Sequence, residues 1–563
     1  MKYIRIVILS CCLCMSANIW AQISTNEKPV SFGIETKGAK ESELTIQTVI
    51  MPLLDMNKIL AEDKEDEEYD IPPRFGYQHK VDYTIKNSGT WQELPNGDKL
   101  WRLNVVCPNA LSVNFCYDQF WIPEGGKFFV YSKDKKQAIG AFTSENNKGE
   151  RENVKGFATG LVYSDDVILE YYQPKEVTDE ANISIDYVVH GYRYINFGQK
   201  GLGDSGSCMV NVNCEEGQNW QNEKKAVALI LVNGNRYCTG SLINTTNLSQ
   251  APLFLTANHC ISNYGDAEGN TNLSYYSFYW NYEAPGCSNT SIEPVHLSTS
   301  GATILANNVY SDFALLRLSE DPKNISTYTP FYLGWDHSGQ SGAPGICLHH
   351  PAGDVKKVST ARTVSSSYWS DQSIDPDSHW EVLWKATLNG HGTTQGGSSG
   401  SPLFNSNHKV IGQLHGGTIT VCDPNKRSFY GKFNVSWSDN SNIYRQLCCW
   451  LDSLNSGVDN IEGLIVVKDA TVMDTNEQLY CNICIVNGGQ LTIQNNIELM
   501  GSSRVIVDGG GILVVDGGKL SNTEIELKPG AILRLINNGI IETRNGFEAP
   551  TGTIVDVIYG QIL

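Results

Sequence analysis

Residues 396–402 read Gly-Gly-Ser-Ser-Gly-Ser-Pro, and this stretch decides how the rest of the chain is interpreted. Two segments precede it, Phe254-Leu-Thr-Ala-Asn-His-Cys260 and Tyr310-Ser-Asp-Phe-Ala-Leu-Leu-Arg-Leu318. Each segment alone is weak evidence, because glycine–serine strings are usually loops and an aspartate before a strand usually forms a turn. Their order along the chain, His then Asp then Ser, with a specific local context for each, carries the signal.

His259, Asp312 and Ser399 supply the base, the orienting anion and the nucleophile that acyl transfer from an amide requires. The near-neutral pKa of an imidazole would let His259 accept the serine proton and later protonate the leaving amine. Glycines allow the tight turn that exposes the hydroxyl. We therefore expect the backbone N–H groups of Gly397 and Ser399 to bind the developing oxyanion.

A pair of cysteines supports this arrangement. Cys238 lies in the apolar segment before the proposed base, and Cys260 follows that base directly. A disulfide between them would join the strand to the turn that holds His259. A loop of this size contributes about 3 kcal/mol in the chain-entropy model.

Five segments carry a family resemblance: CTGSLI (238–243), LTANHC (255–260), SDFALLRL (311–318), GSSGSP (397–402) and GQLHGG (412–417). They resemble the chymotrypsin-like and trypsin-like serine proteases, and most closely the bacterial lysyl endopeptidases, over roughly residues 203–454. The resemblance implies a double β-barrel endopeptidase made as a zymogen, with a signal, a large propeptide and a C-terminal extension. We expect protein or peptide substrates, no cofactor and no metal site.

The resemblance also assigns individual residues. The mature enzyme would begin near Gly203, and the backbone of Leu414 and Gly416 would pair with the substrate as an added strand. His415 would stack near Trp369 and support the active site. The implied disulfides are Cys208–Cys422, Cys214–Cys287 and Cys238–Cys260.

Two positions depart from the related families. Ser398 precedes the nucleophile where trypsin has an aspartate, so activation should come from loss of the propeptide and not from an ion pair with a new N-terminus. Ser428 stands where lysyl endopeptidases carry the pocket Asp, and an unpaired lysine would enter such a pocket at a large desolvation cost. Asp423 could replace that charge and keep a preference for Lys or Arg. Alternatively, Lys426 or Arg427 could favour an acidic or neutral residue.

Composition bounds the rest of the molecule. The 563 residues carry a net charge of −19, which argues against nucleic acid and anionic membranes as partners. Lys2 and Arg5 precede an apolar stretch that is too short to span a bilayer, so residues 1–21 are expected to be a secretory signal. The protein would then be secreted, periplasmic or on the surface of a bacterium. The acidic run at 62–70 is expected to be a flexible linker.

Sparse helix signals and recurrent β-branched and aromatic runs predict an all-β protein. Residues 22–202 are expected to be a β-sandwich propeptide, residues 203–456 the protease domain, and residues 460–563 a repeat domain. In the last region, Gly488, Gly509 and Gly530 are spaced by 21 residues, as are several aliphatic positions. Units of this length predict a small parallel β-helix or solenoid.

Two classes of function remain to be compared. The first is an active serine endopeptidase, and the second is a non-catalytic cell-surface binding protein that works through its β-helix. The chain keeps all three residues of the triad and the oxyanion glycine, which favours the enzyme. Esterase-like acyl transfer of the α/β-hydrolase type is disfavoured by the order His–Asp–Ser.

Overall fold

The computed structural model describes residues 27–35, 46–68, 71–193, 205–261, 272–289, 293–325, 328–369, 377–418, 421–423, 425–438 and 442–563. The expected signal at 1–21 and the expected mature start at Gly203 lie outside the described residues. The described residues form an all-β protein, as predicted, with a β-sandwich, a double β-barrel and a β-solenoid. Of the helices that the structure describes, none has the length and apolar character to cross a membrane.

The N-terminal part is a β-sandwich. Its elements are α1 Val30–Glu35, β1 Gln47–Ile50, α2 Met56–Glu68, β2 Gly76–Thr84, β3 Thr90–Glu93, β4 Lys99–Val106, β5 Ser112–Trp121, β6 Lys127–Ser132, β7 Ala138–Phe142, β8 Phe157–Ala158, β9 Asp166–Gln173 and β10 Asn182–Gly191. One sheet has the order β1-β4-β9-β6-β7 with β3 paired to β4, and the other has the order β2-β10-β5-β8. Leu103 of β4 and Phe115 of β5 lie in the apolar core shared by the two sheets.

The acidic run that was expected to be a flexible linker is helical as far as the structure describes it. It forms the C-terminal part of α2, and residues 69–70 lie outside the described residues. Glu and Lys are good helix formers. Two of the carboxylates also pair with arginines, Asp63 with Arg74 at 2.8 Å and Asp66 with Arg236 at 2.7 Å. The linker expectation is therefore wrong.

The middle of the chain forms two β-barrels. Its elements are β11 Val210–Asn211, β12 Val227–Val232, β13 Arg236–Leu242, β14 Leu253–Ala257, β15 Ser277–Trp280, β16 Leu297–Ser300, β17 Ala302–Asn308, β18 Phe313–Leu318, β19 Phe331–Tyr332, β20 Trp335–Asp336, β21 Pro344–His349, β22 Lys357–Ser367, β23 His379–Trp384, β24 Pro402–Asn405, β25 Val410–Gly417, β26 Arg427–Lys432, α3 Phe433–Trp437 and α4 Cys448–Leu451. The first sheet has the order β16-β15-β12-β13-β14-β18-β17. In the second, β24-β21-β22-β23-β26-β25 closes into a barrel because β24 also pairs with β25.

The C-terminal part is a solenoid with three parallel sheets. Its strands are β27 Asn460–Ile461, β28 Gly463–Val467, β29 Ala470–Met473, β30 Glu477–Leu479, β31 Cys481–Ile485, β32 Gln490–Ile493, β33 Asn496–Leu499, β34 Val505–Val507, β35 Ile512–Asp516, β36 Lys519–Thr523, β37 Ile525–Leu527, β38 Ile532–Ile536, β39 Ile540–Thr543, β40 Ile554–Val557 and β41 Gln561–Ile562. The sheets are β28-β31-β34-β37 with β19 at the edge, β29-β32-β35-β38-β40, and β30-β33-β36-β39-β41. Neighbouring turns bury a continuous aliphatic core, as the repeat predicted.

The repeat of the solenoid differs in detail from the sequence prediction. The ladder of turn glycines is Gly488, Gly510, Gly530 and Gly552, joined by backbone hydrogen bonds of 2.9–3.2 Å. All four have φ between +84° and +92°, which favours glycine. Gly509 is not part of this ladder, because successive turns are 22, 20 and 22 residues long and only their average is close to 21.

The solenoid packs directly on the double barrel. Its first strand, β28, pairs antiparallel with β19 of the barrel region. The ring of His408 lies between Trp220 and Tyr480, with centroid distances of 3.8 and 4.1 Å, and its Nδ1 is 2.8 Å from Glu223 Oε1. The two parts therefore share one apolar core.

Candidate active site

The pairing of strands β14 and β18 brings His259 and Asp312 together. Strand β14 ends at Ala257, which pairs with Phe313 at the start of β18, so the residues just beyond these two ends are neighbours. His259 lies in the 3-10 turn that follows β14. Its Nδ1 is 2.7 Å from Asp312 Oδ2, and its backbone N–H donates to Oδ1 at 2.9 Å. One carboxylate oxygen thus binds the imidazole, and the other binds the backbone of the same residue, so Asp312 fixes both parts of His259.

Asp312 is buried and adopts a left-handed backbone conformation, with φ of +55°. An aspartate tolerates this conformation better than most residues, although it remains a strained one. Burial alone would raise the pKa of this carboxyl group, but the nearby imidazoles of His259 and His415 and the hydrogen bonds from His259 outweigh it. The net pKa of Asp312 lies below its ordinary value, so the group is ionised at neutral pH.

Ser399 lies in a tight turn between the two barrels. Its carbonyl accepts a hydrogen bond from Thr239 N on β13 at 2.8 Å and lies 3.9 Å from Cys260 Sγ. The next residue, Gly400, donates to Leu414 O on β25 at 2.8 Å. Within the described residues, the hydroxyl of Ser399 forms no hydrogen bond, so the structure places it next to the His259 turn without joining it to the imidazole.

The two expected oxyanion donors are available. Gly397 has φ of +93°, and a side chain there would collide with Tyr237 at 2.6 Å, so the turn needs glycine. The carbonyl of Gly397 is held by Thr239 Oγ1 at 2.8 Å. As far as the structure describes the chain, the backbone N–H groups of Gly397 and Ser399 have no intramolecular acceptor. Free donors in a fixed turn are what stabilisation of an oxyanion requires.

Sequence reasoning missed what holds this turn from below. The side chain of Ser398 points inward, and its Oγ is 2.7 Å from Nδ1 of the buried His349. The other ring nitrogen of His349 is 3.1 Å from Ser359 Oγ, which donates to Thr393 O. Burial lowers the pKa of His349 to about 3, so the imidazole is neutral. Hydrogen bonds between neutral groups therefore support the turn at the position where trypsin has a carboxylate. In the sequence, the only indication of this support is a histidine at the end of the apolar strand β21.

His415 forms a second contact with the catalytic aspartate. Its Nε2 lies 3.7 Å from Asp312 Oδ2, and its ring stacks on Trp369 with centroids 4.0 Å apart. A side chain at Gly416 would meet the Trp369 ring at 2.5 Å, so glycine permits this stack. His379, which sequence analysis did not select, lies with Nε2 3.0 Å from His415 Nδ1. Burial lowers the pKa of His415 to about 4, and both rings are neutral at pH 7.

Strand β25 contains the two residues that were expected to pair with the substrate. Leu414 and Gly416 lie opposite Tyr430 and Phe429 of β26. The carbonyl of Leu414 already accepts one hydrogen bond from Gly400. A carbonyl has two lone pairs, so a substrate N–H would be its second donor.

The expected specificity position is polar and uncharged. Ser428 is buried, accepts a hydrogen bond from Trp384 Nε1 at 3.0 Å, and lies 2.7 Å from Thr394 Oγ1. Lys426 is also buried; desolvation lowers its pKa to about 8, against the opposing charge of Asp423. The side chain of Asp423 caps its own loop by accepting from Asn425 N.

The structure contains the three disulfides that the resemblance implied. Cys208–Cys422 ties the start of the described protease region to the loop before β26, and Cys214–Cys287 lies at the edge of the first barrel. Cys238–Cys260 joins β13 to the His259 turn. The disulfide removes Cys238 and Cys260 as metal ligands. His259, Asp312 and His415 have donor atoms within 4.8 Å of one another, but the aspartate there is committed to the base.

Comparison with known proteins supports the protease interpretation. Residues 202–431 match the family described as the C-terminal domain of lysyl endopeptidase. A Lysyl endopeptidase of Pseudomonas aeruginosa is 30% identical over 263 residues, which are 44% of this chain and 52% of the relative. The resemblance to the lysyl endopeptidases is therefore confirmed for this region. The chain spans only about half the length of this curated relative.

Solved structures give weaker matches. The Rv3671c protease of M. tuberculosis in its active form is 17% identical with a TM-score of 0.24, covering 38% of this chain and 79% of that chain. The crystal structure of Deg5 is 16% identical with a TM-score of 0.25, covering 38% of this chain and 87% of that chain.

Proposed function

We propose that this protein is a secreted serine endopeptidase that cleaves peptide bonds through an acyl-enzyme intermediate. The observation that carries the proposal is the Asp312–His259 pair, held by two hydrogen bonds beside a serine turn whose N–H groups at 397 and 399 have no acceptor among the described residues. The match to the lysyl endopeptidase domain over residues 202–431 supports it.

The proposed reaction uses the Asp312–His259 pair and the Ser399 turn. In the first step, Nε2 of His259 takes the proton of the Ser399 hydroxyl as Oγ attacks the scissile carbonyl. Asp312 stabilises the imidazolium, and Gly397 and Ser399 N–H groups bind the oxyanion. The imidazolium then protonates the leaving amine as the C–N bond breaks. Water attacks the ester by the same route in reverse and regenerates the hydroxyl.

We also propose that the chain is made as a zymogen. In this proposal residues 1–21 are the signal, residues 22–202 the propeptide, 203–456 the enzyme and 460–563 an accessory domain. The sandwich packs on the first barrel through an apolar interface that includes Phe75 and Tyr237. The neutral Ser398–His349 contact supports activation by release of this domain, because position 398 has no carboxylate that could form an ion pair with a new N-terminus.

For the residue before the scissile bond, the contacts favour an uncharged side chain over Lys or Arg. The hydroxyls of Ser428 and Thr394 lie 2.7 Å apart and can bond to each other, and the negative charge of Asp423 already acts on the nearby Lys426 ammonium. A lysine side chain would therefore lose hydration without gaining a free carboxylate. Asp423 as a substitute anion and Lys426 as a cation for acidic residues are the two alternatives. Mass spectrometry of a digested peptide library distinguishes all three.

The principal test compares the activated enzyme, freed of the sandwich domain, with its Ser399→Ala variant in a casein-cleavage assay. We expect the variant to lose at least about three orders of magnitude in rate, because the nucleophile is removed. Ser406→Ala is the matched control, because it removes a serine hydroxyl in the same way from an exposed turn after β24. Equal cleavage by the Ser399→Ala variant would leave the non-catalytic binding protein as the better description.

A further inference from the structure

A short segment of the sandwich domain, the strap Pro72–Phe75, lies as an added strand on the edge of the first barrel. Tyr237 N donates to Pro73 O at 3.1 Å, and Phe75 N donates to Asn235 O at 2.8 Å. Arg74 pairs antiparallel with Arg236. The guanidinium of Arg236 also donates to Pro72 O at 2.7 Å. The chain therefore shows that this edge binds an extended peptide.

The strap lies beside the proposed oxyanion turn. A side chain at Gly396 would meet the Pro73 ring at 2.7 Å, and Gly397 packs against Tyr237, the residue that pairs with the strap. The Ser399 turn has Thr239 of β13 on one flank and Leu414 of β25 on the other. Because the substrate's acyl part would follow β25, the β13 flank is where the leaving-group part of a substrate must pass.

Helix α2 holds the strap in place through charge. Arg74 of the strap donates to Asp63 at 2.8 Å, and Arg236 of the barrel pairs with Asp66 at 2.7 Å. Asp63 also binds Arg193 at 2.8 Å and is buried. The side chains of Arg236 and Asp66 are about one fifth exposed. One face of the helix thus clamps both the strap and the barrel edge to which the strap is paired.

We infer that the Asn235–Tyr237 edge with Arg236 is the leaving-group subsite, that it selects peptides with an acidic side chain after the scissile bond, and that the strap and Asp66 occupy it in the full chain. This inference rests on the proposed function. The strap occupies the backbone positions of such a peptide, and Asp66 occupies the position of its carboxylate. Two consecutive prolines fix φ at Pro72 and Pro73, so the strap is ordered at a low entropic cost.

The test uses two isosteric variants of the full chain, with intact mass confirming that each preparation is uncleaved. Asp66→Asn removes the clamp on Arg236. Glu65→Gln makes the same charge change at an exposed neighbouring position of α2. Two substrates share the acyl part that the library digest selects: an anilide with no residue after the scissile bond, and a peptide that extends several residues beyond it.

We expect wild type to hydrolyse the anilide but to cleave the long peptide poorly. Asp66→Asn should raise the ratio of long-peptide to anilide kcat/KM by about fivefold, the effect of one partly exposed ion pair. Glu65→Gln should leave that ratio unchanged. An unchanged ratio in Asp66→Asn, with efficient long-peptide cleavage by wild type, overturns the inference and leaves the proposed function intact. Absence of anilide hydrolysis and of fluorophosphonate labelling in every variant overturns the proposed function and the inference with it.

Selectivity is measured with peptide pairs that carry Asp or Asn at one of the positions after the scissile bond. Asp66→Asn, which frees Arg236, should prefer the Asp peptide by about fivefold at one position. Arg236→Gln also unclamps the strap but lacks the cation, so it should cleave the pair equally. The same preference in both variants would show that Arg236 does not select the carboxylate.

Hydrogen exchange provides a readout that does not depend on activity. In the inactive Ser399→Ala chain, the amides of Phe75 and Tyr237 should be protected, because each donates across the strap interface. Asp66→Asn should lower the protection of both amides and Glu65→Gln should not, at equal melting temperature. Exchange of both amides at the rate of exposed loops in the parent chain would contradict the occupied subsite.

Discussion

The double barrel and the solenoid are both β-structures, but their residues find contact partners at different distances along the sequence. In the solenoid, each strand pairs with the strand one turn later, as Leu513 of β35 pairs with Leu533 of β38. In the barrels, polar side chains find partners far along the chain, as Gln413 does when it donates to Ser311 O. The solenoid is stabilised by repeated apolar layers, and the active region by individual buried contacts. Substitutions in the barrels should therefore mainly lower activity, and substitutions in the solenoid should mainly lower stability.

The largest difference is expected at the catalytic aspartate. Asp312→Asn keeps the shape of the side chain but loses the charge and favours the wrong tautomer of His259. We expect kcat to fall by about four orders of magnitude. The melting temperature should change little by comparison. Single-turnover kinetics on the activated enzyme measure the effect, and a loss of less than tenfold would remove Asp312 from the proposed mechanism.

In the solenoid, truncation should cost stability and not activity. Leu513 is fully buried, so Leu513→Ala should lower the free energy of unfolding by about 2–5 kcal/mol. Ile512 is next to it on the same strand and only half-buried, and Ile512→Ala is the matched control with a smaller loss. Denaturation curves and kcat/KM are compared. A large loss of kcat/KM in folded Leu513→Ala would show that the solenoid acts on the site.

The support beneath the oxyanion turn should have an intermediate effect. Ser398→Ala deletes the hydroxyl that contacts His349 and leaves a buried imidazole nitrogen without its partner. The turn should loosen, and kcat should fall by about 10- to 100-fold with little change in KM. An equal rise in KM with unchanged kcat would place Ser398 in substrate binding and not in transition-state support.

The smallest effect per group is expected from pH. Burial lowers the pKa of His349 to about 3 and of His415 and His296 to about 4. The unfolded chain takes up these protons near pH 6.5, and the folded chain does not, so stability falls as pH drops from about 6.5 to about 4. Each group contributes on the order of 1–3 kcal/mol over that window. Buried Glu293, with its pKa raised to about 8, acts in the opposite direction. A flat urea midpoint between pH 7 and pH 4.5 would contradict this expectation.

These contrasts explain what could be predicted from the sequence. The solenoid could be recognised because each turn repeats the chemistry of its neighbour, although the ladder runs through Gly510 because the turn lengths alternate between 22 and 20 residues. The His259, Asp312 and Ser399 segments carry local signatures and could be selected. The contacts of His349 with Ser398 and of His379 with His415 could not be predicted, since these partners are 49 and 36 positions away in the sequence. The acidic helix was misassigned because two of its arginine partners, Arg193 and Arg236, are also distant in sequence.

The central claim is that Ser399 is a nucleophile activated by His259. The most direct measurement is reaction of the folded chain with a fluorophosphonate, followed by peptide mapping of the modified residue. The account predicts one modification, on Ser399, with a rate that falls at least about a thousandfold in a folded His259→Ala variant. Modification at another serine, or an equal rate on Ser399 without the imidazole, would contradict it.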